Sequence, residues 1–131
     1  LRRRHREPKP RGAAVGVVGG SGRPLREFLH ADDLADACLH LLAVPQPRWS
    51  EVLGGVSHLN VGSGEELSIA ELARLIADAV GFRGALRFDA TKPDGTPRKR
   101  LDTARLGALG WSATRPLAAG LAAVASGVRA Y

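Results

Sequence analysis

Residues 58–89 read HLNVGSGEELSIAELARLIADAVGFRGALRFD, and this stretch decides the fold class. Residues 58–61 alternate polar and apolar side chains before a pair of glycines, which predicts a short strand. Ser68 and Glu71 stand three positions apart at the start of an apolar pattern of period 3.6, which predicts a capped helix. Residues 85–89 alternate again and predict another strand. Short strands mixed with helices indicate a small α/β fold.

The flanking sequence continues this mixture of elements. It predicts a strand at 13–18, an extended segment at 26–30, a helix capped by Asp32 or Asp33, a loop at 46–56, a short helix at 102–109 and a last helix from Pro116. The helix after Asp33 carries Leu34, Cys38, Leu41 and Leu42 on one face. We therefore expect Cys38 to pack in the core.

Composition excludes several classes of protein. The 131 residues are 44% hydrophobic and 24% charged, which is enough for one modest core. There is no apolar run of about 18–20 residues and no secretory signal, so we expect no membrane partner. The single cysteine cannot form an internal disulfide, and we predict a cytoplasmic location. Because the sequence begins with Leu1 and contains no methionine, we expect an N-terminal portion to be missing.

Most of the net charge of +6 lies at the beginning of the chain. Residues 1–11 hold six basic side chains against one acidic side chain, whereas residues 12–131 are nearly neutral. We interpret 1–11 as a basic helix end and loop, and 12–131 as the ligand-binding domain. A basic module that grips nucleic acid stays an alternative, but the segment has no interleaved aromatics, so a nucleic-acid partner is not expected.

Motifs for catalysis, metal and dinucleotide binding are incomplete. The glycine clusters at 19–22 and 62–64 have no third small residue and no Lys-Ser/Thr pair, so both are predicted to be turns. The His and Asp residues at 30–40 fit a capped helix start better than a metal site. No nucleophile elbow is present, and we predict no catalytic residue in this chain.

Two segments concentrate groups that suit a diphosphate, namely residues 23–27 and 92–100. An arginine fork matches phosphate oxygens bidentately, and a lysine adds a point charge. A Pro-Asp-Gly turn can present such cations, while Asp94 can accept hydrogen bonds from ribose, sugar or base donors. Two polar surface loops without a ligand would have the same composition.

A resemblance to known proteins favours the interpretation that these two segments bind a ligand. Residues 26–35 (REFLHADDLA) and 60–73 (NVGSGEELSIAELA) resemble segments of extended short-chain dehydrogenases that act on nucleotide sugars. Residues 88–111 (FDATKPDGTPRKRLDTARLGALGW) resemble the GDP-L-fucose synthase family more narrowly. The resemblance implies the C-terminal substrate-binding domain of an extended short-chain dehydrogenase, with three to four helices and without its N-terminal Rossmann half.

The same resemblance implies roles for individual residues. Arg26 matches an arginine that binds the GDP-sugar substrate, and Lys99 matches a lysine that faces its diphosphate. Arg4, or Arg3 if one residue is gapped, matches a further basic residue. Gly19 stands where the family usually has a tryptophan that packs on the ligand. The predicted substrate site also includes two residues of the second segment, Asp94 and Arg98.

The resemblance implies that the cofactor site and the catalytic groups of the family lie outside this chain. NADP(H), the Ser and Tyr-x-x-x-Lys reduction groups and the Cys/His epimerisation pair belong to the missing half, as do the helices of the family's homodimer. We therefore expect the chain alone to be inactive. Two alternatives remain: the substrate domain of another nucleotide-sugar epimerase or dehydratase, and an incomplete product with an exposed apolar face that is unstable by itself.

Overall fold

The computed structural model describes residues 14–129 as an α/β fold. Its strands are β1 (Val15–Gly19), β2 (Leu25–Glu27), β3 (Glu66–Ser68), β4 (Ala85–Asp89) and β5 (Arg98–Lys99). Its helices are α1 (Ala31–Ala43), α2 (Gln46–Leu53), α3 (Ile69–Val80), α4 (Ala104–Ala108) and α5 (Leu117–Arg129). The predicted fold class is confirmed, with five helices in the described range instead of three to four. None of these helices has the length and apolar character that crossing a bilayer requires.

The strands form two sheets. β1 and β4 are a parallel pair, with Val15 beside Ala85 and Gly19 beside Asp89. In the other sheet β2 is central, antiparallel to β3 on one side and parallel to β5 on the other. β2 and β5 come from the two segments that the sequence singles out for a diphosphate, so this sheet positions the candidate site.

Helix α3 begins and ends where the sequence predicts. The Ser68 hydroxyl accepts a hydrogen bond from the Glu71 N–H at 3.1 Å, and the Glu71 carboxylate accepts one from the Ser68 N–H at 2.7 Å. Gly81 follows with a left-handed φ of 71°, which a glycine adopts without strain. Ile76 and Val80 on the predicted apolar face are exposed in the described structure.

Helix α1 turns a different face to the core than the sequence predicts. Its buried residues are Asp33 and Ala37. Leu42 is 84% exposed and Cys38 is also exposed, so the predicted core role of Cys38 is wrong. An aspartate can face the core here because residues 114–115 donate hydrogen bonds to its carboxylate. The core cluster consists of Ala37, Leu106 and Trp111, with partly buried Leu29, Leu41, Leu59, Val61 and Ala113 around it.

Two element boundaries also differ from prediction. The N-cap of α1 is His30, whose Nδ1 accepts a hydrogen bond from the Asp32 N–H at 3.1 Å, and neither Asp32 nor Asp33 takes that position. Residues 46–56, predicted as a loop, contain α2. Pro47 lies in the first turn of α2, where an N–H has no intrahelical acceptor, so the proline does not stop the helix.

The strand predicted at 58–61 is not part of either sheet in the described structure. Leu59 and Val61 pack against the core cluster, which explains their apolar alternation without a strand partner. The neighbouring strand is β3, which pairs with β2. Residues 1–11, predicted as a basic helix end and loop with Arg4, lie outside the described residues.

Candidate functional site

Arg26 and Lys99 lie side by side on neighbouring strands. They are register partners in the parallel pair of β2 and β5, and paired residues direct their side chains to the same face of a sheet. Both line one open cleft of about 600 Å³. The other lining residues are Glu27, Leu29, Val61, Gly62, Arg98, Arg100 and Leu101. The structure therefore brings together the two cations that the resemblance assigns to substrate, and their binding role stays a prediction.

Positive charge dominates this cleft, which we call the cationic cleft. Four of its lining residues are basic, namely Arg26, Arg98, Lys99 and Arg100. Lys99 is exposed and has no ion-pair partner within residues 14–129. A surface of this kind attracts anions and can pair with the oxygens of a phosphate group.

The Arg26 guanidinium lies between its own strand and the loop at 92–97. Its Nη1 donates a hydrogen bond to the carbonyl oxygen of Leu25 at 2.6 Å. A Cβ placed on Gly95 would lie 3.1 Å from Nη2 of Arg26, closer than side chains usually approach. The glycine of the Pro-Asp-Gly turn therefore leaves room for the guanidinium next to the cleft.

Arg98 is already paired within the chain. Its Nε donates to Oε1 of Glu66 at 2.8 Å, and its Nη2 donates to Oε2 of the same carboxylate. These hydrogen bonds lower the pKa of Glu66 below its ordinary value and raise the pKa of Arg98. A ligand would have to compete with Glu66 for this guanidinium, so Arg98 is less available than Arg26 or Lys99.

Asp94 makes intramolecular contacts in place of the free acceptor position that the sequence suggests. Its Oδ1 accepts a hydrogen bond from the Ser21 N–H at 2.7 Å, and its Oδ2 accepts one from the Ser21 hydroxyl at 2.6 Å. The hydroxyl bond is the larger cause that lowers the pKa of Asp94, followed by the bond from the N–H. Asp94 thus ties the loop at 92–97 to the turn after β1, and its contact with a ligand stays a prediction.

The acidic residues near the start of α1 have structural partners. Burial raises the pKa of the Asp33 carboxyl, but hydrogen bonds from Arg115 and Thr114 outweigh it, so the pKa lies below its ordinary value. Asp36 accepts a hydrogen bond from the Trp111 indole N–H at 2.8 Å. Within residues 14–129 the structure has no group of three His, Cys, Asp or Glu side chains placed to hold a metal ion.

The chain is similar in sequence to known proteins. A model of the NAD dependent epimerase/dehydratase family matches residues 2–62. The protein named GDP-L-fucose synthase 1 of Arabidopsis thaliana is 53% identical over 121 residues, which are 92% of this chain and 35% of that protein. Over most of its length, this chain is homologous to GDP-L-fucose synthase. The resemblance that residues 88–111 carry is thereby confirmed.

Solved structures agree with this relationship. A GDP-L-fucose synthetase from Naegleria fowleri bound to NADP aligns with a TM-score of 0.68 at 28% identity, over 86% of this chain and 33% of that one. A GDP-6-OMe-4-keto-L-xylo-heptose reductase from C. jejuni aligns with a TM-score of 0.78 at 28% identity, over 88% of this chain and 34% of that one. The chain spans about a third of the length of these relatives.

The family resemblance places Gly19 where a tryptophan is expected, and this assignment stays a prediction. Gly19 is the last residue of β1, and a Cβ added there would lie 3.6 Å from Cγ of Lys92, which is an ordinary contact. A larger side chain therefore meets no close neighbour at its first atom. Gly19 does not line the cationic cleft.

Sequence reasoning missed the two carboxylates of this region. Glu66 pairs with Arg98, and Glu27 accepts hydrogen bonds from the backbone N–H groups of Gly64 and Leu101. A signal was available for Glu27, because it lies among apolar neighbours in the predicted extended segment. A carboxylate at such a position needs hydrogen-bond partners.

Proposed function

We propose that this chain is the GDP-sugar-binding part of an enzyme like GDP-L-fucose synthase. The reaction is the NADPH-dependent 3,5-epimerisation and 4-reduction of GDP-4-keto-6-deoxy-D-mannose to GDP-L-fucose. The observation that carries the proposal is the register pairing of Arg26 with Lys99 in the cationic cleft. A diphosphate presents about two negative charges, and an arginine fork next to a lysine complements them.

The role of this chain is to bind and orient the substrate. Arg26 and Lys99 grip the diphosphate, so the sugar extends beyond the cleft toward the groups that react with it. Binding energy obtained at the phosphates, away from the reacting carbons, then serves to orient the ketone. None of the residues described in the cleft is assigned a proton-transfer or hydride-transfer step.

The glycine turns of this chain do not fit a dinucleotide cofactor. A pyrophosphate needs free backbone N–H groups in such a turn. The Ser21 N–H is bonded to Asp94, and the Gly64 N–H is bonded to Glu27. We therefore assign NADP(H) and the catalytic groups to the rest of a protein of the relatives' length, and we expect this chain alone to be inactive.

The exposed face of α1 supports a Rossmann half as the partner of this chain. Leu34 is 47% exposed and Leu42 is 84% exposed, and Cys38 lies exposed on the same side of the helix. An exposed apolar face on a helix is typical of a surface that a second layer covers. The relatives have about two thirds of their length outside the matched region, enough for such a layer. We also propose that the full-length protein forms the homodimer that the family resemblance implies, and that it is located in the cytoplasm.

The comparisons favour one alternative function, in which this chain is part of a reductase that acts on a different nucleotide sugar. The C. jejuni protein with the TM-score of 0.78 is named for a GDP-heptose, so a different sugar on the same nucleotide is compatible with this fold. Gly19 bears on the same question, because the resemblance implies a tryptophan there that packs on the ligand. The basic module at residues 1–11 has no comparable support.

Ligand-observed NMR on the 131-residue chain tests the proposal. GDP-fucose, GDP-mannose and GDP are compared with UDP- and dTDP-sugars at equal concentration. The proposal predicts saturation transfer to the guanine nucleotides, and a preference for uridine would favour another epimerase or dehydratase. Salt-dependent DNA binding that is lost when residues 1–11 are deleted, without any response to GDP, would favour the basic module.

A further inference from the structure

Glu27 links three segments of the cationic cleft. It is the last residue of β2, directly after Arg26, and its side chain is half-buried. Its Oε1 accepts a hydrogen bond from the Gly64 N–H at 2.8 Å, and its Oε2 accepts one from the Leu101 N–H at 2.9 Å. One carboxylate therefore joins β2 to the glycine turn at 62–64 and to the chain just after β5.

The bond to Leu101 continues the sheet beyond the point where its ladder stops. The pairing of β2 with β5 comprises Leu25 with Arg98 and Arg26 with Lys99. No further backbone pair follows between these strands in the described structure. The Glu27 carboxylate accepts the hydrogen bond from the Leu101 N–H instead. It therefore holds the backbone just after β5, the short strand that carries Lys99.

The glycine turn has the shape of a cradle for this carboxylate. A Cβ on Gly62 would collide with Oε1 of Glu27, and Gly64 adopts a left-handed φ of 79°. Gly62 is needed for the close approach and Gly64 for its backbone conformation. The cluster that looks like a weak phosphate-binding turn in the sequence is thus occupied by an anion of the protein itself.

We propose that Glu27 is a positioning residue that sets Lys99 against Arg26 for diphosphate binding, with Gly62 as its complement. The inference rests on the proposed function. The predicted effect of removing Glu27 is opposite to simple electrostatics. A negative charge next to an anion site weakens anion binding by Coulomb repulsion. If Glu27 acts through geometry, removing its charge nevertheless weakens binding. If it acts only as a charge, the same change strengthens binding.

The experiment compares Glu27→Gln with Glu66→Gln in the 131-residue chain. Both changes remove one negative charge near the cleft, but only Glu27 bonds to the backbone at Leu101. In Glu27→Gln one amide N–H group faces a backbone N–H, so one of the two bonds is lost. Calorimetric titration with GDP and with inorganic pyrophosphate should show roughly tenfold weaker binding for Glu27→Gln, the loss of one charge-assisted hydrogen bond. Glu66→Gln, which frees Arg98, should bind as well as the unmodified chain or better.

A double-mutant cycle separates positioning from general loss of structure. Because Glu27 acts through Lys99, adding Glu27→Gln to Lys99→Ala should change the affinity by less than about twofold. A merely structural role would instead lower the affinity by the same factor in both backgrounds. Gly62→Ala should reproduce the effect of Glu27→Gln, and Glu51→Gln, a surface change on α2, is the remote control.

Amide hydrogen exchange gives a readout that does not depend on the ligand. The Leu101 and Gly64 amides should lose protection in Glu27→Gln, while the α3 amides keep theirs. Unchanged protection at Leu101, or GDP affinity that is equal to or above that of the unmodified chain, would overturn the inference. If the unmodified chain binds neither GDP nor pyrophosphate, the proposed function fails. The exchange rate of the Leu101 amide then decides by itself whether Glu27 holds the backbone just after β5.

Discussion

Arg26 on β2 and Lys99 on β5 are direct neighbours across a parallel ladder, although they come from distant parts of the chain. The Ser21–Asp94 contact and the Glu27–Leu101 contact lie on either side of this pair in sequence, and both hold the segment at 92–101 against the segment at 19–27. The cleft is therefore a product of long-range contacts between two polar segments, and these contacts hold the backbone of the two cations in place before any ligand arrives. Such preorganisation lowers the entropic cost of binding.

Substitution of either cation should weaken nucleotide binding. Arg26→Ala and Lys99→Ala each remove one charge-assisted contact, and we expect a loss of about 1–3 kcal/mol in the free energy of GDP binding. The matched control is Arg83→Ala, which removes one positive charge outside both candidate segments and outside the cationic cleft. Isothermal titration measures all three variants, and unchanged affinity in both cleft variants would contradict the account.

Acid should destabilise the fold through Asp33. Its pKa is lower in the folded chain than in the unfolded chain, so its contribution to stability is complete above the ordinary aspartate pKa of about 3.9. That contribution is lost as the pH falls through the lower, folded value. Urea unfolding at pH 7 and below pH 4 should show a decline in stability that is smaller in Asp33→Asn. An equal decline in both proteins would assign the acid sensitivity to other carboxylates.

Asp94 and Ser21 should behave as one unit. Asp94→Ala and Ser21→Ala both break the contact between the loop at 92–97 and the turn after β1, so their effects on the free energy of unfolding should not be additive. Each should also weaken GDP binding by a similar factor, since neither oxygen of Asp94 is free. A much larger effect of Asp94→Ala on GDP affinity alone would instead indicate direct contact with the ligand.

Two glycines in helical regions should respond oppositely to alanine. Gly81 ends α3 in the left-handed region, and Gly81→Ala should destabilise the chain by about 1–2 kcal/mol. Gly127 lies within α5, and no described residue comes within 4 Å of an added Cβ, so Gly127→Ala should stabilise the chain by about 0.5–1 kcal/mol. Urea denaturation of the two variants gives both values. Destabilisation by Gly127→Ala would show that its environment is more crowded than described.

Cys38 should react readily with a thiol reagent. It is exposed on the outer face of α1, so labelling of the native chain should be fast and should accelerate little in urea. A thiol that is labelled only after unfolding would mean that this face is covered in the 131-residue chain. The same measurement on a protein of the relatives' full length should show slow labelling if a Rossmann half covers α1.

The sequence predicts the elements whose signals are local. The capping box at Ser68 and Glu71 and the alternation at 85–89 depend only on neighbouring residues, and both elements form as predicted. Helix α2 was missed because Pro47 also marks helix ends, and its position in the first turn depends on where the helix begins. β5 has only two residues, and it exists because β2 lies beside it.

Long-range pairing accounts for the other differences. The inner face of α1 depends on Arg115, which reaches Asp33 from another part of the chain, and apolar periodicity alone selects the wrong face. In the site, the resemblance identified Arg26 and Lys99, whereas the partners of Asp94, Arg98 and Glu27 needed the fold. These partners lie far away in the sequence, so no local pattern predicts them.

Site-resolved NMR during a GDP titration tests the central claim most directly. Side-chain resonances of Arg26 Nε and Lys99 Nζ are followed together with the backbone amides of the 131-residue chain. The account predicts saturable shifts at both side chains with a single common Kd, and no comparable shift at Arg83. Binding of GDP that leaves both side chains unperturbed, or no binding at all, would contradict the claim that these two cations hold the diphosphate.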